Sequence, residues 1–239
     1  MAKRSAPSLA EDFKKVTEFF RERHMIPFSP ASALIENARR IHSATYSLIL
    51  WRFRLKGLPA HGKPFVEEIA SDALQILPQV LMGSGKPVNL LTRGIIENTL
   101  RHIYFSEHPV EFEKMNQERQ WFMTMADLFT YAKTHPALML SEKRFDAVNR
   151  LSTLYSDLSA GIHGRAVADL EMRIALNKIS YSESLAKKHV ALVERCAAAA
   201  NFLIAVFHRL KLVKFQTEDR LIILQTMPPR ARKAWRDSL

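Results

Sequence analysis

Apolar residues along this chain recur at three- and four-residue intervals, and no long stretch alternates strictly, so the pattern predicts helix throughout. "SLAE" at Ser8 has the form of a capping box, and Leu9, Phe13, Val16 and Phe20 follow on one face. "IPFSP" interrupts that helix. Ser29 then caps a second, with Pro30 in the permitted first position, running to Lys56 before Gly57. The loop "GLPAHGKP" precedes a third helix over Phe65–Met82, kinked at Pro78, and "GSGKP" opens a fourth that stops at "EHP". A fifth is expected over Val110–Thr134 with Phe112, Trp121, Met125 and Phe129 inward, and a sixth from Ser141 to Gly164. "RAVADLEMRIALNKISYS" reads as a connection with a short helix, followed by a seventh helix over Glu183–Lys211. The tail has a cap at Thr217, a break at Pro228–Pro229 and a basic last helix.

The expected fold class is therefore all-α: a single helical bundle of about seven helices with a basic C-terminal helical tail. Residues 1–26 form the N-terminal helix, 27–214 the bundle core and 215–239 the tail. Seven glycines, a 47% apolar share and the absence of internal repeats agree with this.

Composition adds two constraints. The single cysteine, Cys196, lies in the apolar run "CAAAANFLIAVF", which suits an inert core thiol in a reducing cytoplasm. "MAKRSAPSLAEDFKK" has no apolar signal region, and the longest uncharged runs fall short of the roughly 18 residues that cross a bilayer, so no membrane span is expected. The net charge of +11 points to a phosphate-rich partner: RNA, another nucleic acid or an anionic surface.

The fourth helix carries the first candidate chemistry. Arg93, Glu97 and Arg101 are successive i,i+4 neighbours beside the apolar arc of Ile96, Leu100 and Tyr104. Burying such charges costs several kcal/mol per ion without partners, so they form either an ion pair joining helices or a site. On the sixth helix Ser152, Ser156, Ser159 and His163 share a narrow stripe that would let another helix approach, with His163 at its end. Arg93, Glu97 and His163 are expected to meet there, and a histidine beside Arg/Glu has the proton chemistry of a general acid or base.

"RGIIE", "SAGIHG" and "RHIYFSEH" together resemble helical bacterial proteins of the HEPN-like kind, found among defence and abortive-infection systems. Arg101, the polar His102 and His108 after six intervening residues match that family's Arg-x(4–6)-His form over about Asn89–Gly164. The resemblance implies an antiviral effector or toxin: a metal-independent endoribonuclease in which Arg and His, paired across a homodimer, promote attack by the RNA 2′-hydroxyl. The other such spacing, Arg54 to His61, crosses Gly57 and Pro59 and reads as accidental. His108 stands at a helix end before Pro109, whereas the family's motif usually sits on a late helix.

Neither a cofactor nor a metal is implied. Cysteine clusters and HExxH are absent, the carboxylates lack ligand spacing, and "GSGKP" lacks the first glycine of a phosphate loop. The alternative to an enzyme is a helical module that binds nucleic acid or a protein partner through basic faces. Arg39, Arg40, Ser43, Ser47 and Arg54 gather on one face of the second helix, with Lys56 following. Arg230, Arg232, Lys233, Trp235 and Arg236 add a basic end whose tryptophan could stack on an unpaired base.

Overall fold

The computed structural model describes residues 8–24, 29, 32–118, 120–163 and 180–236; the side chains of 24, 141, 142, 161–163 and 236 are outside this description. Every regular element among these residues is a helix: α1 (Leu9–His24), α2 (Ala33–Arg54), α3 (Lys63–Leu81), α4 (Gly85–Phe105), α5 (Pro109–Gln117), α6 (Met125–Thr134), α7 (Pro136–Phe145), α8 (Ala147–His163), α9 (Glu183–Phe207), α10 (Arg209–Leu212), α11 (Thr217–Thr226) and α12 (Pro229–Arg236).

The all-helical class stands, but among the described residues the seven expected helices become ten because three of them are divided, and the tail holds two more. The fifth parts at Glu118, and Thr124 restarts it as α6 by accepting from the Asp127 N–H at 3.2 Å. The sixth divides at Asp146, whose φ of 55° lies in the left-handed region. The seventh ends at Phe207; His208 leaves helical geometry before the single turn of α10. The second helix starts later than expected, with Ser32 rather than Ser29 as its cap. At Ser8 the reciprocal capping box forms as read, the Ser8 N–H donating to Glu11 Oε2 and the Glu11 N–H to Ser8 Oγ.

The core forms where α2, α3, α4 and α9 pack together, with α8 against α4 and α9 and α11 across α2 and α9. Ile41, Leu48, Trp51, Ile69, Ile76, Ile95, Ile96, Leu100, Ile103 and Phe202 are almost completely buried, each contributing about 1.5–3 kcal/mol on transfer from water. Alanines 197, 199 and 200 keep α9 slim where its neighbours approach. By length and composition α9 could cross a membrane, contrary to the short-run expectation, but 61% of its apolar stretch is buried inside the protein.

Asn201 joins three helices from inside the core. Its Oδ1 accepts from Trp51 Nε1 at 2.7 Å, and its Nδ2 donates to Ser47 Oγ at 2.7 Å and Thr226 Oγ1 at 2.8 Å. A buried amide is stable there because both of its ends are satisfied. Cys196 is buried as expected; burial pushes its thiol up to about 12 and leaves it unreactive.

Candidate functional site

Helical spacing alone brings Arg93 and Glu97 together, and α8 completes the group. Arg93 Nε donates to Glu97 Oε1 at 2.9 Å and Arg93 Nη2 to Tyr155 Oη at 2.7 Å, while the Tyr155 hydroxyl donates to Glu97 Oε1 at 3.2 Å. The Arg93 guanidinium also lies 4.8 Å from the Tyr155 ring centre. Arg101 Nη2 stands 3.7 Å from Glu97 Oε2, so two arginines share one carboxylate. The side chains of Arg93, Glu97 and Arg101 are 23%, 20% and 38% exposed, which makes this an interhelical knot at the edge of the core. The α8 partner is Tyr155, flanked by buried Leu151, Leu154 and Leu158, rather than the serine stripe; Ser159 is buried but Ser156 faces solvent. The side chain of His163 lies outside the described residues, so its predicted meeting with Arg93 and Glu97 does too.

Asp72 of α3 adjoins this knot. Gly94 permits the approach, since a Cβ there would collide with Asp72 Oδ2. Burial, then the nearby carboxylates of Glu68 and Glu97, raise Asp72 from 3.8 to about 7.

His108 occupies a different environment at the end of α4. Its Nδ1 lies 2.7 Å from the Tyr104 carbonyl oxygen and must donate to it, which leaves the lone pair on Nε2. The ring stacks on Tyr104 at 4.0 Å between centres, with the edge of Tyr131 at 5.1 Å. Next to it, Glu107 accepts from the Tyr131 hydroxyl at 2.8 Å and from His135 Nε2 at 3.0 Å. His135 Nδ1 accepts the Ala137 N–H at 3.1 Å, so Nε2 carries the proton of a neutral ring. Burial raises Glu107, but the Tyr131 and His135 hydrogen bonds outweigh it and hold the carboxylate below its ordinary range. Arg101 points one turn back, toward Glu97, so the guanidinium is anchored away from His108.

His102, read as the polar neighbour in the motif, is fully buried. Its Nδ1 donates to the Gly62 carbonyl at 2.8 Å, and its Nε2 accepts from His208 Nε2 at 2.7 Å. Burial drives His102 down to about 4 and His208 to about 3, so the pair is neutral and structural.

The basic face of α2 is largely neutralised within the protein. Arg40 forms a bidentate pair with Glu194 at 2.9 and 2.7 Å, and Arg39 meets Glu36 at 3.1 Å. Arg54 Nε lies 2.6 Å from Asp219 Oδ2 of α11, where the carboxylate is 5% exposed. Ser47 is buried on Asn201, and Arg52 and Lys56 are left exposed without an ion pair among the described residues. In the tail, Arg230 and Lys233 are exposed and Arg232 half-buried, whereas Trp235 is 6% exposed with the Arg209 guanidinium 5.8 Å from its ring. A base could stack on Trp235 only by displacing its neighbours.

Two cationic depressions were not foreseen. Arg144, Phe145, Arg230, Lys233 and Ala234 line one of about 470 Å³, and a larger groove adjoins it through Arg144, Phe145 and Ala234. The exposed basic residues were visible in the sequence, but nothing in its periodicity brings α7 beside α12. Among the described residues, no group of three or more His, Cys, Asp or Glu is placed to hold a metal. Comparisons with family models, curated proteins and solved structures find no match to this chain.

Proposed function

We propose that the protein is a helical module that binds RNA or other nucleic acid at the cationic edge formed by α7 and α12. The observation that carries this reading is the depression shared by Arg144, Arg230 and Lys233, which no carboxylate lines among the described residues. Three exposed cations beside the Phe145 ring combine charge for phosphate oxygens with an aromatic surface. The surplus of +11 adds long-range attraction. Fluorescence anisotropy with a labelled single-stranded RNA across a salt series tests it. Arg230→Ala/Lys233→Ala should weaken binding and flatten the slope of log affinity against log salt by about 0.7 for each phosphate no longer neutralised. Unchanged affinity and slope in the double variant would sink the reading. Arg40→Ala, which removes a cation already paired with Glu194, should change binding far less.

The tautomer of His108 favours a second reading, the metal-independent endoribonuclease implied by the HEPN-like resemblance. A lone pair on Nε2 is the form a general base needs, and Arg101 would have to leave Glu97 to stabilise charge on the phosphate. A homodimer would then supply a second histidine. His108→Ala and Arg101→Ala should each abolish RNA cleavage that persists in EDTA. Full cleavage by either variant, or loss with EDTA, counts against it.

A further inference from the structure

The larger groove, about 720 Å³, runs between α7, the end of α9, α10 and α12. Its size falls in the range of pockets that enclose small organic ligands, about 300–1,000 Å³. Phe145, Phe202, Phe207 and Trp235 supply aromatic walls, with Leu140 and Leu210 at the mouth, 74% and 79% exposed. Leucines this exposed, converging on one groove, leave apolar surface that a ligand would cover.

Among the described residues the charged lining has one sign: Arg144, Arg209 and Lys211, and no carboxylate. Two of these cations rest on the aromatic walls. The Arg209 guanidinium lies 5.8 Å from the Trp235 ring centre and that of Arg144 5.3 Å from the Phe145 ring centre. Such contacts hold a guanidinium in place without neutralising it. Lys211 Nζ reaches only the carbonyl oxygens of Lys56 and Gly57, at 3.4 Å each. Neutral amide and hydroxyl side chains are missing from the lining among the described residues, and the Nε2 of His208 is committed to His102. Apart from His208, the polar side chains described in the lining only donate, which suits a negative head better than the mixed donor and acceptor edge of a base. What fits is a body without polar groups and a head with negative charge.

We propose that this groove binds an amphipathic organic anion, of the long-chain carboxylate class, with its head at Arg144, Arg209 and Lys211 and its chain along the aromatic walls. The groove shares Arg144 and Phe145 with the depression of the nucleic-acid reading, while Arg209, Lys211, Leu140 and Leu210 line the groove alone and Arg230 and Lys233 line only the depression.

The test uses the full chain with 8-anilinonaphthalene-1-sulfonate as a fluorescent reporter and laurate, below its aggregation concentration, as competitor. Laurate should displace the reporter at least about tenfold more effectively than dodecanol, its uncharged counterpart, and inorganic phosphate should not displace it. Leu210→Glu adds a negative charge at an exposed position of the mouth and should weaken laurate binding by at least about tenfold, with circular dichroism and urea midpoint unchanged. Leu210→Met should bind as the native chain does. Equal displacement by dodecanol, or full laurate affinity in both Leu210→Glu and Arg209→Ala, overturns the proposal. Arg230→Ala/Lys233→Ala, which alters only the smaller depression, should bind laurate as the native chain does; a loss of laurate affinity there equal to that of Arg209→Ala would merge the groove with the nucleic-acid site and overturn the proposal.

Discussion

Replacing Asp72 with asparagine should stabilise the protein at neutral and alkaline pH while leaving it unchanged in acid. Asp72 is 8% exposed, faces Gly94 across the α3–α4 contact, and is acted on by the charges of Glu68 and Glu97. Its pKa of about 7, against 3.8 ordinarily, means that between those values the native chain holds a proton which the unfolded chain has released. Stability therefore falls as pH rises across that window and reaches its floor above about 7. At full weight such a displacement is worth ~4 kcal/mol. Relaxation of the surrounding side chains and water entry reduce the expected effect to ~1–2 kcal/mol. Asparagine keeps the shape and removes the charge. Urea unfolding of both proteins should give equal stabilities near about pH 4, and the variant should lead by that margin near about pH 8. A difference that does not change with pH, or a more stable native protein at alkaline pH, would show that Asp72 is ionised and paired in the fold. The reasoning would then fail.

Three further outcomes follow from buried polar groups. Asn201→Ala strands Trp51 Nε1 in the core and opens a small cavity, so urea unfolding should show a loss of ~2–4 kcal/mol; a loss below ~1 kcal/mol would mean the network contributes little. Arg54→Ala leaves the Asp219 carboxylate buried alone and should cost ~3 kcal/mol, so the variant should lose its α2–α11 packing, seen as lower thermal stability and faster proteolysis of the tail. His102 and His208, held at about 4 and about 3 against 6.5 ordinarily, give full stability above 6.5 that is lost as pH falls, because the unfolded chain takes up protons the core excludes. That slope opposes the Asp72 slope, so it should be measured in Asp72→Asn, where a His102→Asn/His208→Asn pair should flatten it.

Features whose partners lie within one helical turn were legible in the sequence. The Ser8–Glu11 capping box and the Arg93–Glu97 ion pair need nothing but local spacing. The half-buried setting of that pair was also readable, because its wheel position borders Ile96 and Leu100. The break before α6 had a local signal as well, since Thr124 and Asp127 stand three apart, but the apolar spacing of Trp121, Met125 and Phe129 continues across it. Where two local signals conflict, periodicity alone extends a helix past its end. Tyr155 escaped for another reason: it sits among leucines on the apolar side of α8, and its hydroxyl matters only once α4 is alongside.

Partners distant in the chain were not legible, and they alter the electrostatic picture most. The same-face geometry of Arg39, Arg40 and Arg54 follows from helix spacing, but helix spacing does not say what covers that face. Glu194 comes from α9 and Asp219 from α11, more than 150 residues away, to engage Arg40 and Arg54. Each pairing removes a cation from the surface available to a polyanion, so a sequence tally of basic residues overstates that face. The opposite holds for Arg144, Arg209, Arg230 and Lys233. They come from three short helices with no common period, and among the described residues no carboxylate lines the depressions they form. A net charge of +11 is the sum of both cases. Where it attracts a ligand depends on which arginines the fold has already neutralised, and those pairings favour the edge built by α7, α10 and α12 over the Arg39, Arg40 and Arg54 face of α2.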